Sequence, residues 1–198
     1  MVKELTYQKN ELILETWRRV QKIPNYHDEV GCALYLQFFE KCPQAKLLFG
    51  WQLEADPSEL SQSKTFRSQA SLYIKLLDTV VDMLGPDIEL LTEILVELGE
   101  KHWKVYGVTQ EMYEPMGTAL IEMFCEKLGE NFTDSMREVW KDVWRDLSND
   151  MAHSEQKEIE CQRECLAQVM VDSKNKAVAK IAVSSDALPL GGERDRQR

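Results

Sequence analysis

The chain has 198 residues, 43% hydrophobic and 29% charged, a balance that suits one folded domain with an extension and excludes a chain too polar to bury a core. Its formal net charge of −10 excludes a broad nucleic-acid or anionic-membrane surface, which needs concentrated Lys and Arg, and no apolar run approaches the roughly 18 to 20 residues that span a bilayer. The start, Met1-Val2-Lys3-Glu4-Leu5-Thr6, has no signal-peptide core, so a cytoplasmic protein is expected. The five cysteines, an odd number without a C-x-x-C pair, are expected as free thiols.

Apolar spacing is helical almost everywhere and nothing alternates with period two, so the fold class is all-α. A first helix is predicted over about residues 7 to 22, ended by Ile23-Pro24-Asn25, and a second over about 27 to 42 through Val30, Leu34, Phe38 and Phe39. Pro43 suits the first turn of a short helix, and Gly50 to Gln62 reads as a loop around Asp56-Pro57-Ser58. Phe66, Ala70, Tyr73, Leu77, Val81 and Leu84 mark a long helix stopped by Gly85-Pro86. The next carries Ile88, Leu91, Leu95, Leu98 and His102 and ends before Gly107. Another runs from Met112 to Leu128, and the last is capped by Thr133 and turns Met136, Val143, Leu147 and Met151 inward. A main domain over residues 1–153, a helical extension over 154–183 and a disordered tail over 184–198 are expected.

On a helical wheel His102 lies within about 20° of Leu91 and Leu95, so it points to the core. There it is either a hydrogen-bonded core imidazole or a metal ligand. Gln69 sits near the edge of the preceding helix's apolar stripe, and Tyr35 adjoins the inward Leu34, Phe38 and Phe39. A buried amide and a buried phenol each need a partner, so His102, Gln69 and Tyr35 describe one pocket with a ligand and two donors facing it.

Several pieces together resemble the globin family over about residues 8 to 153. Leu98-Gly99-Glu100-Lys101-His102, followed by Tyr106-Gly107-Val108, is similar to the proximal-histidine segment, and Leu47-Leu48-Phe49-Gly50 to the stretch whose phenylalanine packs on the haem face. Phe66-Arg67-Ser68-Gln69-Ala70 resembles the distal helix with glutamine in place of histidine. Tyr35, fourteen positions before Phe49, falls at the distal tyrosine of bacterial and flavohaemoglobin-type globins. Gly129, Phe132-Thr133 and Trp140 resemble the entry to the last globin helix. The chain departs from the pattern in three places. Five positions rather than four separate His102 from Gly107, Tyr73 replaces a smaller aliphatic residue over the iron, and the stretch beyond His153 has no counterpart.

The resemblance implies a 3-over-3 globin fold around haem b, iron protoporphyrin IX, with His102 as the iron ligand. It also implies Phe49, Gln69, Tyr35, Tyr73 and Val108 at the cofactor. Glutamine ligates iron poorly, so the site is expected to be open to dioxygen or another diatomic gas, for storage, scavenging or sensing. A second implied function is nitric oxide dioxygenation. It would require an external reductase, because the chain has no G-x-G-x-x-G motif and no length for a flavin domain. A haem-free signalling module is the third. Such bacterial globins also place a proximal glutamate near the position of Glu155, with a tyrosine matching Tyr113. The dense charge around Glu155 instead favours an exposed residue on a solvated helix.

Overall fold

The computed structural model describes residues 5–185, with side chains through 175 apart from 154 and 158. Among the described residues there are helices, turns and no strands, in the order α1 (Tyr7–Val20), α2 (Tyr26–Lys41), α3 (Ala45–Leu48), α4 (Pro57–Gln62), α5 (Lys64–Met83), α6 (Ile88–Lys101), α7 (Tyr113–Leu128) and α8 (Asp134–Ser185). No described helix is long and apolar enough to cross a membrane.

Local chemistry explains the boundaries. The Thr6 hydroxyl accepts from the Lys9 N–H and starts α1, Ser63 does the same for Phe66 in α5, and Thr133 for Met136 in α8. Gly85, at φ 137°, follows α5 where an L side chain would be strained. The helices then bury their stripes on one another. Trp17 of α1 meets Phe124 of α7 and Trp140 of α8 with ring centroids 6.3 and 6.1 Å apart, and Phe124 and Trp140 lie 4.8 Å apart.

Three glycines let helix backbones or rings approach closely. A Cβ on Gly31 of α2 would lie 2.5 Å from the Ala70 carbonyl oxygen of α5, and one on Gly99 of α6 would lie 1.9 Å from the Met151 carbonyl oxygen of α8. Gly117 of α7 receives the Trp144 indole, 2.2 Å from where its Cβ would be. These contacts fix where α5, α6 and α7 sit around the interior.

One expectation changes. Residues 57–62, expected within a loop, form α4. Asp56 accepts from the Ser58 N–H at 2.7 Å, Pro57 takes the first helical position, and Leu60 is buried, so the turn chemistry is a helix cap. Beyond His153, α8 continues as one helix to Ser185. Close packing divides the chain after Gln156, and in the second unit Leu166, Val169, Met170 and Val171 are exposed. The expected disordered stretch 184–198 lies, from 186 onward, outside the described residues.

Candidate functional site

The proximal side is assembled on α8. The Trp144 indole, seated over Gly117, donates from Nε1 to the Tyr113 carbonyl at 2.9 Å and so holds the first turn of α7. Tyr113 in turn brings its hydroxyl 3.1 Å from Nδ1 of His102, the residue that follows α6. Burial lowers the His102 pKa, which favours the neutral imidazole. When Nδ1 carries the proton and donates it to the Tyr113 oxygen, Nε2 keeps a free lone pair, the form that binds a metal.

Glu155 belongs to this assembly, against the expectation of an exposed carboxylate. It is 8% exposed, and its Oε2 accepts the Gln110 backbone N–H at 2.8 Å. Burial, and then the Glu155 charge, push the Tyr113 phenol up to about 12, so it stays protonated beside the carboxylate. Local charge density misled because the group that buries Glu155 lies 45 positions away in sequence.

The extra residue after His102 has a definite shape. Residues His102–Tyr106 wind as one turn of π-helix, and the His102 carbonyl accepts from the N–H groups of Gly107 and of Val108, the latter at 2.9 Å. Gly107 closes the turn at φ 71°. Val108 packs partly buried against the core.

The distal side follows from the α2–α5 crossing at Gly31 and Ala70. Tyr35 lies one turn beyond Gly31, and Gln69 and Tyr73 flank Ala70 along α5. The Tyr35 ring sits edge-on to Phe49 at 5.2 Å, to Tyr73 at 5.6 Å and to Phe66 at 6.2 Å. Phe49 is half-buried and also packs on Phe39 at 5.5 Å. Burial raises the pKa of both phenols, so Tyr35 and Tyr73 are hydrogen-bond donors at any working pH. Neither hydroxyl has a hydrogen-bond partner among the described residues, and the Gln69 Oε1 is buried without one. Unpartnered buried polar groups destabilise a fold unless a ligand completes them.

One structural cluster was not anticipated. Asp78 of α5 accepts from Trp17 Nε1 at 2.7 Å and from the Tyr26 hydroxyl at 3.0 Å, and it bonds His27 Nε2 at 2.8 Å. Burial raises its pKa, but these bonds together outweigh burial and hold the carboxyl below its ordinary value. The cluster ties α1 and α2 to the helix that carries Gln69 and Tyr73.

Fold and site define a helical protein in which an imidazole bonded to a phenol follows α6, while the α2–α5 crossing carries two phenols without hydrogen-bond partners among the described residues and an amide with a buried, unpartnered oxygen. The Globin family model matches residues 33–151, and the chain belongs to the globin family, whose cofactor is haem. Cytoglobin-2 of Danio rerio is 30% identical over 134 residues, 67% of this chain and 73% of that protein. Neuroglobin of the same fish is 28% identical over 138 residues, 69% and 84% of the two chains. A crystal structure titled as a hexacoordinated heme protein from an anhydrobiotic tardigrade, at pH 4, aligns with a TM-score of 0.67 and 20% identity, covering 76% of this chain and 94% of that one. That alignment establishes the shared fold.

Proposed function

We propose that the chain binds haem b through His102 and takes up dioxygen, or another diatomic gas, on the face lined by Tyr35 and Gln69. The observation that carries this reading is the ring-to-ring pair of Tyr35 and Tyr73, neither hydroxyl partnered among the described residues, with Gln69 one turn before Tyr73 on α5, while burial favours the neutral imidazole of His102. Among the described residues no three His, Cys, Asp or Glu side chains converge on a metal. A single protein ligand suits an iron whose equatorial positions a porphyrin already fills. When bound, haem supplies a ferrous iron with a position for a gas.

The protein residues set what happens at that position. Of three histidines, His27 is bonded to Asp78 and His153 is exposed, so no second imidazole is free to occupy the gas site from the described interior. The tardigrade protein is titled hexacoordinated; here the resemblance puts Gln69, a poor iron ligand, at the distal position, so the site would stay open to a gas. A gas that takes on partial negative charge there would accept from the Tyr35 hydroxyl and from the Nε2 end of the Gln69 amide, so release would be slow and storage or scavenging fits better than rapid delivery. Phe49 and Val108 supply apolar contact to the porphyrin. Five free thiols agree with a reducing, cytoplasmic setting.

The buried Glu155, whose charge acts on the Tyr113 phenol that is bonded to His102, favours a second reading, nitric oxide dioxygenation with electrons from an external reductase. A proximal carboxylate raises the basicity of the ligand imidazole, which helps oxidative chemistry more than storage. Purified chain reconstituted with haem tests the main reading. A strong Soret band that His102→Ala loses or shifts is expected; a wild type that stays colourless, or a variant with unchanged haem binding, overturns it. Nitrate formed over many turnovers with a cellular reductase would select the second reading over the first.

A further inference from the structure

Tyr73 does what an aliphatic residue at its position cannot. Its ring lies 5.6 Å from that of Tyr35 at 82°, so two phenols from two helices stand side by side. Its phenol also lies within electrostatic range of the Tyr113 phenol, which is bonded to His102. Gln69 stands one turn before it on α5, with its amide oxygen buried and unpartnered. No carboxylate acts on Tyr35 or Tyr73; burial and the neighbouring phenols are the influences on them. Two hydroxyl donors from two helices therefore stand together, with the amide of Gln69 beside them on α5.

We propose that Tyr73 is a second hydroxyl donor on the distal side, beside Tyr35, and that it tilts the preference of the site from neutral ligands toward charged ones. The inference rests on the haem reading above. Its physical basis is a difference between ligands. A hydrogen bond to a charged acceptor contributes about twice what a bond to a neutral acceptor does, so each phenol strengthens an anion far more than carbon monoxide, a weak acceptor. A Tyr73 that merely fills space acts on both ligands alike, through its ring.

The test is equilibrium binding of fluoride to the ferric protein and of carbon monoxide to the ferrous protein, in wild type, Tyr73→Phe, Tyr35→Phe and Tyr73→Leu. Tyr73→Phe keeps the ring and removes only the hydroxyl. Fluoride affinity is expected to fall on the order of ten- to a hundredfold in Tyr73→Phe, with carbon monoxide affinity changed less than about threefold. Unchanged fluoride affinity in Tyr73→Phe, with carbon monoxide binding strengthened in Tyr73→Leu, overturns the proposal and leaves Tyr73 a space-filling residue. If Tyr73→Phe does not fold, the fluoride complex of the Tyr35→Phe, Gln69→Leu double variant decides: an iron–fluoride vibration that still shifts in heavy water supports the Tyr73 donor, and no residual shift refutes it. A wild type without a Soret band fails at the earlier step and overturns the haem reading itself, an outcome distinct from a coloured protein indifferent to the Tyr73 hydroxyl.

Discussion

Replacing Gly99 with alanine sets two opposite effects against each other. In a helix interior Gly→Ala ordinarily stabilises by about 1 kcal/mol, because alanine loses less backbone freedom on folding. At Gly99 the new Cβ would sit 1.9 Å from the Met151 carbonyl oxygen and 2.6 Å from its carbon. Ordinary contact begins near 3.4 Å, so α6 and α8 must part by about 1.5 Å, and the obstacle is backbone that no rotamer change can move. Overpacking of this kind costs about 1 to 3 kcal/mol, and a displacement this large belongs at the upper end, so the net destabilisation is about 2 kcal/mol. For a chain of this size that lowers Tm by roughly 4 to 8 °C, read from far-ultraviolet circular dichroism of the haem-loaded protein. His102 lies three residues on, so the same shift moves its imidazole relative to Tyr113, and haem dissociation, measured by transfer to an acceptor globin, should quicken. A Gly99→Ala protein melting at or above the wild-type temperature, with haem loss unchanged, would show that α6 and α8 are not held at this distance.

Tyr35→Phe and Gln69→Leu should each speed oxygen release by about ten- to a hundredfold in stopped-flow displacement by carbon monoxide, and equal rates in all three proteins refute the assigned donors. Glu155→Gln should lower the iron–histidine stretching frequency by weakening the pull on His102 through Tyr113; an identical frequency removes Glu155 from the proximal assembly. Asp78→Asn should cost about 2 kcal/mol in urea unfolding near neutral pH, since several bonds lose their charged acceptor. The pH dependence has a definite sign. Because the folded carboxyl lies below its unfolded value, near 3.9, its stabilisation is complete above that value and is lost as the pH falls through the folded pKa. The acid limb of the unfolding curve should therefore flatten in Asp78→Asn, and an unaltered limb excludes the cluster as its source.

Helices α1, α2, α5, α6 and α7 were legible to within about two residues, because each buries a stripe at intervals of three and four. The packing of Tyr35 on Phe49 and Tyr73 was legible for the same reason: the stripes that orient α2 and α5 also orient these rings. Helix α4 escaped because six residues are too short for periodicity, and Asp-Pro-Ser opens a turn or a helix equally well until Leu60 is seen buried. Glu155 and Asp78 escaped for a different reason. Both are carboxylates among charged or amphipathic neighbours, and what distinguishes them is a set of partners 45 to 61 positions away. The close approaches at Gly31, Gly99 and Gly117 left no local mark either, since a single glycine in a helix looks alike whether or not another backbone lies against it.

The single-residue surplus after His102 has a mechanical consequence. Had those residues formed a slack loop, the imidazole could tilt or slide while the following corner stayed still. Wound instead into a π turn, the corner hangs from the carbonyl of the histidine itself, through the N–H groups of Gly107 and Val108. Val105 and Tyr106 form the outer edge of that turn, with apolar side chains open to solvent. Whatever shifts His102 therefore drags this edge with it, a short lever running from the buried imidazole to the surface.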